Sequence, residues 1–320
     1  MRTQLTASHS PDSGASLNGV ITAAFGRHYE VDIAAHHATS ASDAAQPRLK
    51  CYPRGKKSVF ACGDEVEVSA TGSGQGVINR LHPRRNLLWR SDAFREKLIA
   101  ANLTQVVVVV ATEPGFSDLL ISRCIAAAQS QQISTLIVLN KADLRDRLPA
   151  ARRILAPFEK LDYRIVELSA REGAGALRPF LAGERSILVG QSGMGKSTLT
   201  NALIPDAQAA TREISEALNS GKHTTTFARL YALDGGWLID SPGLQAFGLA
   251  HLTADELAAS FVEFAPHLGK CRFRDCLHES EPGCALRAAI AAGAIEARRF
   301  EHFRIIREEI THAKRQTQGW

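Results

Sequence analysis

The stretch that restricts this chain most is Gly190-Gln191-Ser192-Gly193-Met194-Gly195-Lys196-Ser197, a complete GxxxxGKS loop. An apolar run from Arg185 to Val189 precedes it, and a helical pattern opening at Thr198 follows it. Strand, glycine loop and helix in that order are the context such a loop requires. The glycines let successive backbone N–H groups turn toward a polyphosphate, and the helix offers its N-terminus to the anion. Lys196 then reaches the terminal phosphates, and the Ser197 hydroxyl is placed to ligate Mg²⁺. Every other motif can be located relative to this loop.

Upstream, alternating apolar strands and helical segments predict a parallel sheet covered by helices. Residues 105–112 read as one strand, 118–131 as a helix and 135–139 as the next strand, which runs into Asn140-Lys141-Ala142-Asp143. An NKxD tetrad at a strand end is the guanine-reading element of GTPases. The Asp143 carboxylate accepts from the N1–H and exocyclic amine of the base, while Asn140 and Lys141 brace the site. Adenine lacks both donors and would leave that carboxylate unpaired, so guanine is favoured. A further strand at 163–168 ends in Ser169-Ala170, the position of the element whose backbone touches the guanine carbonyl.

Downstream of the loop, residues 205–222 are polar and lead to His223-Thr224-Thr225-Thr226. A threonine at this place ligates Mg²⁺ and senses the γ-phosphate. The three threonines are not separable by sequence, and Thr225 is the one assigned here. A hairpin over 227–232 and 236–239 delivers Asp240-Ser241-Pro242-Gly243, a DxxG element. In it Asp240 would hold Mg²⁺ through water, and the Gly243 amide would contact the γ-phosphate. The residue after it is Leu244, where many GTPases carry a water-orienting Gln, and Leu has no hydrogen-bonding group. His223 is the nearest substitute, either catalytic through its imidazole or merely solvated.

The motif order is itself informative: NKxD and Ser-Ala precede the phosphate loop instead of following it. Circular permutation explains this without moving any site residue, because neighbouring termini can be joined and the chain cut elsewhere.

Residues 1–15 have the composition of a disordered tail. Five short β-rich runs follow between residues 19 and 80, with no helix among them. They fit a small barrel of the OB type, and an SH3-like barrel reads almost identically. Arg48, Lys50, Arg54, Lys56, Lys57, Arg80, His82, Arg84, Arg85 and Arg90 cluster here, either as a phosphate-binding face or as ordinary solvated surface. Tyr52, Phe60 and Trp89 are the few aromatics nearby, so recognition of folded RNA by backbone and shape is expected over single-strand stacking.

Past residue 250 the pattern changes again. Thr253 to Glu256 is a capping box. Cys271, Cys276, His278 and Cys284 then fall within fourteen residues, a set suited to one closed, structural, tetrahedral Zn²⁺ site. The segment from 285 onward reads as helix, with Arg287, Arg298, Arg299, Arg304, Arg307, Lys314 and Arg315 as a second RNA-facing surface or a solvated face. The expected division is a tail at 1–15, an OB-fold at 16–88, a permuted GTPase unit at 89–250 and a zinc-binding helical unit at 251–320. The formal charge of +5, from 38 Lys+Arg against 33 Asp+Glu, is mild, so its clustering matters more than its total. No apolar run approaches a membrane span and the N-terminus lacks an apolar signal core, so a cytoplasmic protein is expected.

Taken together, NKAD, Ser-Ala, GQSGMGKS, GKHTTT, DSPG and CX4CXHX5C behind a small β unit closely resemble the ribosome small-subunit-dependent GTPase A family (RsgA). The resemblance covers nearly the whole chain. It implies a GTPase that binds the 30S ribosomal subunit, contacts 16S rRNA, assists late subunit maturation and is stimulated by that particle. By matching positions, it places GTP and GDP on Asn140, Lys141, Asp143 and the segment from Gly190 through Thr198, zinc on the Cys₃His set, and catalysis on His223. A monomer is expected. The rivals are an assembly factor for which hydrolysis only times release, and a permuted GTPase serving the large subunit or another RNA.

Overall fold

The computed structural model describes residues 16–25, 27–33, 48–55, 60–91, 96–205, 207, 228–241 and 247–318. The first five strands are β1 (Ser16–Ala24), β2 (Tyr29–Asp32), β3 (Arg48–Pro53), β4 (Glu65–Gly72) and β5 (Gln75–Leu81). They pair in the closed cycle β1-β2-β3-β5-β4-β1, with β3 and β5 parallel and every other pair antiparallel. That pairing makes the barrel a five-stranded OB-fold and removes the SH3-like alternative. Alternate residues point inward to a small core of Ile21, Tyr29, Val31, Cys51, Val66, Val68 and Ile78.

A hairpin that the sequence pattern does not anticipate follows, β6 (Leu87–Ser91) with β7 (Glu96–Ala101). It crosses residue 88 and touches the barrel through a bridge between Cys62 and Ala100. Asp64 fixes the junction. Its fully buried carboxylate takes two 2.7 Å bonds from the Arg84 guanidinium and a third of 2.7 Å from the Ala61 amide. Burial of a charge is tolerable there because both oxygens are satisfied.

The α/β alternation begins at β8 (Gln105–Ala111), where the sequence pattern puts its first strand. Successive elements are α1 (Asp118–Gln129), β9 (Ser134–Asn140), α2 (Leu148–Glu159), β10 (Arg164–Glu167), α3 (Arg178–Leu181), β11 (Arg185–Val189), α4 (Lys196–Leu203), β12 (Arg229–Leu233) and β13 (Gly236–Asp240). Their order across the sheet is β10-β9-β8-β11-β13-β12, parallel except for β12, which runs antiparallel to β13. β8 explains why helices cover both faces. Val106, Val108 and Val110 enter one apolar cluster, and Val107, Val109 and Ala111 enter the other. β12 also pairs with β1 at Ala23 and Arg229, so barrel and parallel sheet form one continuous eleven-stranded sheet.

The C-terminal part comprises α5 (Ala254–Ala259), α6 (Ala285–Ala291) and α7 (Ala297–Gln318). The capping box on α5 is present in full. The helix expected to run unbroken from residue 285 is interrupted at Gly293, whose φ of +74° lies in the left-handed region. α7 packs on α1. Arg299 is only 2% exposed, paired at 2.7 Å with Glu263, bonded at 2.6 Å to the Ser122 hydroxyl and stacked over Phe158 and Phe261. Arg307 is likewise buried against Glu279 and the Leu277 carbonyl, and Arg298 makes a two-pronged pair with Asp118 at 2.8 Å. Arg299 and Arg307 hold the interior together and present no basic face to RNA, whereas Arg298 stays on the surface with its guanidinium tied to Asp118. No helix among the described residues is long and apolar enough to cross a membrane.

Candidate functional site

The carboxyl ends of β8, β9, β10, β11 and β13 open on one side of the sheet, where ligands bind in open α/β folds. β11 ends at Val189 and the chain turns at once into the phosphate loop. Gly190 is required there by proximity: a Cβ would sit 2.2 Å from the Val109 carbonyl oxygen. Gly195 precedes α4 with φ +87°, and its Cβ would lie 2.3 Å from Asn140 Nδ2. Both positions therefore exclude any other residue on geometry alone.

Asn140 is the knot of the site. It is 2% exposed, and its amide joins three segments that lie far apart in the chain. Nδ2 donates to the Met194 carbonyl in the phosphate loop at 2.9 Å, while Oδ1 accepts from Ala170 N at 2.9 Å and from Lys141 N at 2.8 Å. Its bonds thus tie the NKAD tetrad, the Ser-Ala element and the loop to one another. Lys141 holds φ +59°, its carbonyl accepts from Thr112 Oγ1 at 2.9 Å, and its ammonium donates to the Glu113 carbonyl at 2.7 Å. Ala142 N donates to Leu168 O at 3.1 Å, which sets the tetrad against the end of β10.

Asn140, Lys141 and Ala170 line a cleft of about 420 Å³ together with Ser169, Arg171, Asp240 and the phosphate loop. A second, adjoining cleft of about 320 Å³ is lined by Lys141, Asp143, Arg171, Glu113, Pro114 and Leu144. The larger is lined mainly by the phosphate loop and Asp240, and the smaller exposes the Asp143 carboxylate. Ser169 Oγ is buried with no hydrogen-bond partner among the described residues, as fits a polar group shaped to meet a ligand. Arg171 lines both clefts and no motif singles it out; its place directly after Ser169-Ala170 is the only signal in the sequence. Gln191 is held from outside the loop, its Oε1 accepting from Ser117 N at 3.2 Å.

Lys196 folds back on its own loop, donating to Gly190 O at 2.6 Å and Gln191 O at 2.9 Å. Burial lowers its pKa, partly opposed by Asp240, and burial raises that of Asp240, partly opposed by Lys196. Each charge is desolvated, so an arriving phosphate or cation would find an electrostatic partner already stripped of water. His223, Thr225, Gly243 and Leu244 lie outside the described residues.

Cys271, Cys276, His278 and Cys284 come together, with their ligand atoms all within 4.8 Å of one another. A tetrahedral zinc with usual Zn–S and Zn–N lengths requires S···N separations of about 3.5 Å. His278 Nδ1 stands 3.5 Å from Cys271 Sγ and 3.4 Å from Cys284 Sγ, so the set fits the ion. Desolvation pushes the Cys276 thiol up to about 12, and it lowers the pKa of His278. Ala285 N donates to Cys271 Sγ at 3.3 Å, the sort of outer-shell bond that orients a thiolate ligand.

The family described as RsgA GTPase matches residues 81–250, more than half the chain. The chain belongs to the RsgA GTPase family. A member from Nitrosospira multiformis, named small ribosomal subunit biogenesis GTPase RsgA, is 52% identical over 286 residues, covering 89% of this chain and 88% of that protein. A protein of the same name from Burkholderia pseudomallei is 53% identical over 287 residues, with 88% of each chain covered. Among solved structures, YjeQ from Thermotoga maritima superposes with a TM-score of 0.71 at 28% identity, covering 93% of this chain and 99% of that one. YloQ, described as a circularly permuted GTPase, shares the fold with a TM-score of 0.68 at 24% identity, covering 97% and 99%. Membership of the RsgA family accounts for the reversed motif order, because the permuted strand order still delivers both halves of the site to one edge.

Proposed function

We propose that this chain hydrolyses GTP to GDP and phosphate while assisting maturation of the small ribosomal subunit, and that the subunit stimulates the reaction. One observation carries the reading: Asn140 gathers the base-reading elements and the phosphate loop around a single cleft, although the chain supplies them in reversed order. The partner follows from relatives more than half identical that carry the name small ribosomal subunit biogenesis GTPase.

In this reading Asp143 accepts from the guanine edge, Ser169 and Ala170 meet the base carbonyl, and the loop amides from Gly190 to Thr198 hold the phosphates. Lys196 releases its loop carbonyls to meet the terminal phosphate. Ser197, Thr225 and Asp240 hold Mg²⁺, which when bound neutralises charge on the phosphates. Gly243 donates to the γ-phosphate and His223 orients the attacking water, as Leu244 has no group to do so. The Cys₃His set holds a structural Zn²⁺ that staples a region with little core of its own. The barrel at 16–88 and the helical unit at 251–320 flank the nucleotide unit at 89–250 and grip 16S rRNA. The protein acts as a cytoplasmic monomer.

The test is GTP turnover by the full chain alone, with purified 30S subunits and with 50S subunits, using ATP as control. Stimulation by 30S alone with ATP inert is expected. GTP binding with no response to 30S would remove the partner and leave the nucleotide site standing.

A further inference from the structure

The barrel carries a line of rings on its outer surface that the proposed nucleotide chemistry does not use. At the turn between β1 and β2, Phe25 and His28 stack with centroids 4.7 Å apart and planes 12° from parallel. His28 meets Tyr52 of β3 at 6.1 Å and 44°. The Lys50 ammonium lies 5.9 Å from the Tyr52 ring centroid. β3 places Cys51 in the barrel core and turns Arg48, Lys50 and Tyr52 outward together, as period two requires. Tyr52 is 39% exposed, whereas Phe60 packs edge-on against the buried Tyr29 and Trp89 packs on His251. Of the three aromatics noted in the sequence, Tyr52 alone turns its ring to solvent.

The exposed charges described around this line are mostly cations. Arg27, Arg48, Lys50 and Arg54 are all exposed, on the β1–β2 turn, on β3 and just past its end. Among the described residues, the carboxylates of β2 are engaged or hidden, Glu30 by Arg229 at 3.2 Å and Asp32 by burial. Burial and the Lys50 charge lower the pKa of His28, so its ring is neutral near pH 7 and stacks without adding charge. In OB-folds generally, the β2–β3 face and the adjoining β1–β2 loop are where oligonucleotides lie. An aromatic ring flanked by cations there suits a base and its phosphates: stacking is sequence-tolerant, and the cations track the backbone.

We propose that Tyr52, backed by His28 and Phe25, is a stacking platform for one unpaired RNA base, with Arg48, Lys50 and Arg54 meeting the flanking phosphates. The proposal deepens the ribosomal reading and rests on it for RNA as the partner. It assigns the barrel recognition of an unstacked nucleotide in addition to the backbone and shape recognition expected from charge.

The experiment compares GDP-loaded wild type, Tyr52→Ala and Tyr52→Phe in fluorescence-anisotropy titrations with a short fluorescein-labelled oligouridylate and with an RNA duplex of equal length. Tyr52→Ala should weaken single-strand binding about 5- to 150-fold, Tyr52→Phe should stay within about twofold of wild type, and duplex affinity should be alike in all three. Basal GTP turnover, which does not involve Tyr52, should be unchanged in both variants and reports that they fold. Equal single-strand affinity in wild type and Tyr52→Ala, or an equal loss on duplex, would overturn the platform. Wild-type co-sedimentation with 30S is read separately: a chain that pellets with 30S yet ignores the Tyr52 change loses only the platform. One that binds oligouridylate through Tyr52 and fails to pellet loses only the ribosomal partner.

Discussion

Acid should loosen the contact between α1 and α7 through one side chain. His302 is 1% exposed, its Nδ1 lies 2.8 Å from the Ser122 hydroxyl, and its Nε2 lies 3.4 Å from an Asp118 carboxylate oxygen. The arrangement suits a neutral ring that accepts from Ser122 and points its N–H at Asp118. Desolvation pushes its pKa down to about 4; Asp118 opposes the shift, and Arg298 and Arg299 reinforce it. An unfolded histidine titrates near 6.5, so between these values the unfolded chain holds the proton more readily than the folded one. Stability from this group is therefore full above about pH 6.5 and is lost as pH falls toward 4, by about 3 kcal/mol in all. Between pH 7 and pH 5 the loss is about 2 kcal/mol. Urea unfolding followed by far-ultraviolet circular dichroism at those two pH values, in wild type and His302→Gln, isolates it. The zinc ligands and exposed carboxylates titrate in both proteins and cancel in the difference. Wild type should lose about 2 kcal/mol more than the variant, and equal losses would refute the assignment of a buried neutral imidazole.

Two further outcomes follow from the site. Gly195→Ala forces a left-handed alanine, costing about 1–2 kcal/mol, and drives its methyl into the Asn140 amide; binding of a fluorescent GDP analogue should weaken at least about tenfold, and an affinity within twofold of wild type would contradict the geometry. Wild type should carry one zinc per chain by elemental analysis, and Cys284→Ser or chelation should remove it and lower the melting temperature. A metal-free wild type that melts at the same temperature would deny the ion its structural role.

Much of the nucleotide unit is legible in the sequence because its strands are short apolar runs that end in recognisable loops. Gln105 to Ala111 and Ser134 to Asn140 are strands in the register their composition suggests. Strand count could not choose between barrel types, since the choice lies in whether β3 pairs with β5, a contact between segments some twenty-five residues apart. The β6–β7 hairpin escapes because Leu87-Leu88-Trp89 and Leu98-Ile99 are too short to show a period. Arg299 reads as a surface cation in isolation; its burial depends on Glu263, Ser122 and Phe261, none of them near it in sequence. The bracing by Asn140 is hidden for the same reason. NKAD predicts the residue, but its bonds to Met194 and Ala170 exist only once three strands lie side by side.

The order of strands in the sheet also sets an order in time. β8, β9 and β10 are neighbours and are made consecutively, so the half that reads the base can pair as it leaves the ribosome that makes it. β11 and β13, which carry the phosphate loop and Asp240, lie beyond β8 and are made afterwards. From Asn140 to Asp240 is about 100 residues, or roughly 5–20 s of synthesis at ordinary elongation rates. Met194 follows Asn140 by 54 residues, so Asn140 gains its phosphate-loop partner about halfway through that interval, and Asp240 joins only at its end. The nucleotide site closes late in translation, once β11 has paired with β8 and β13 with β11.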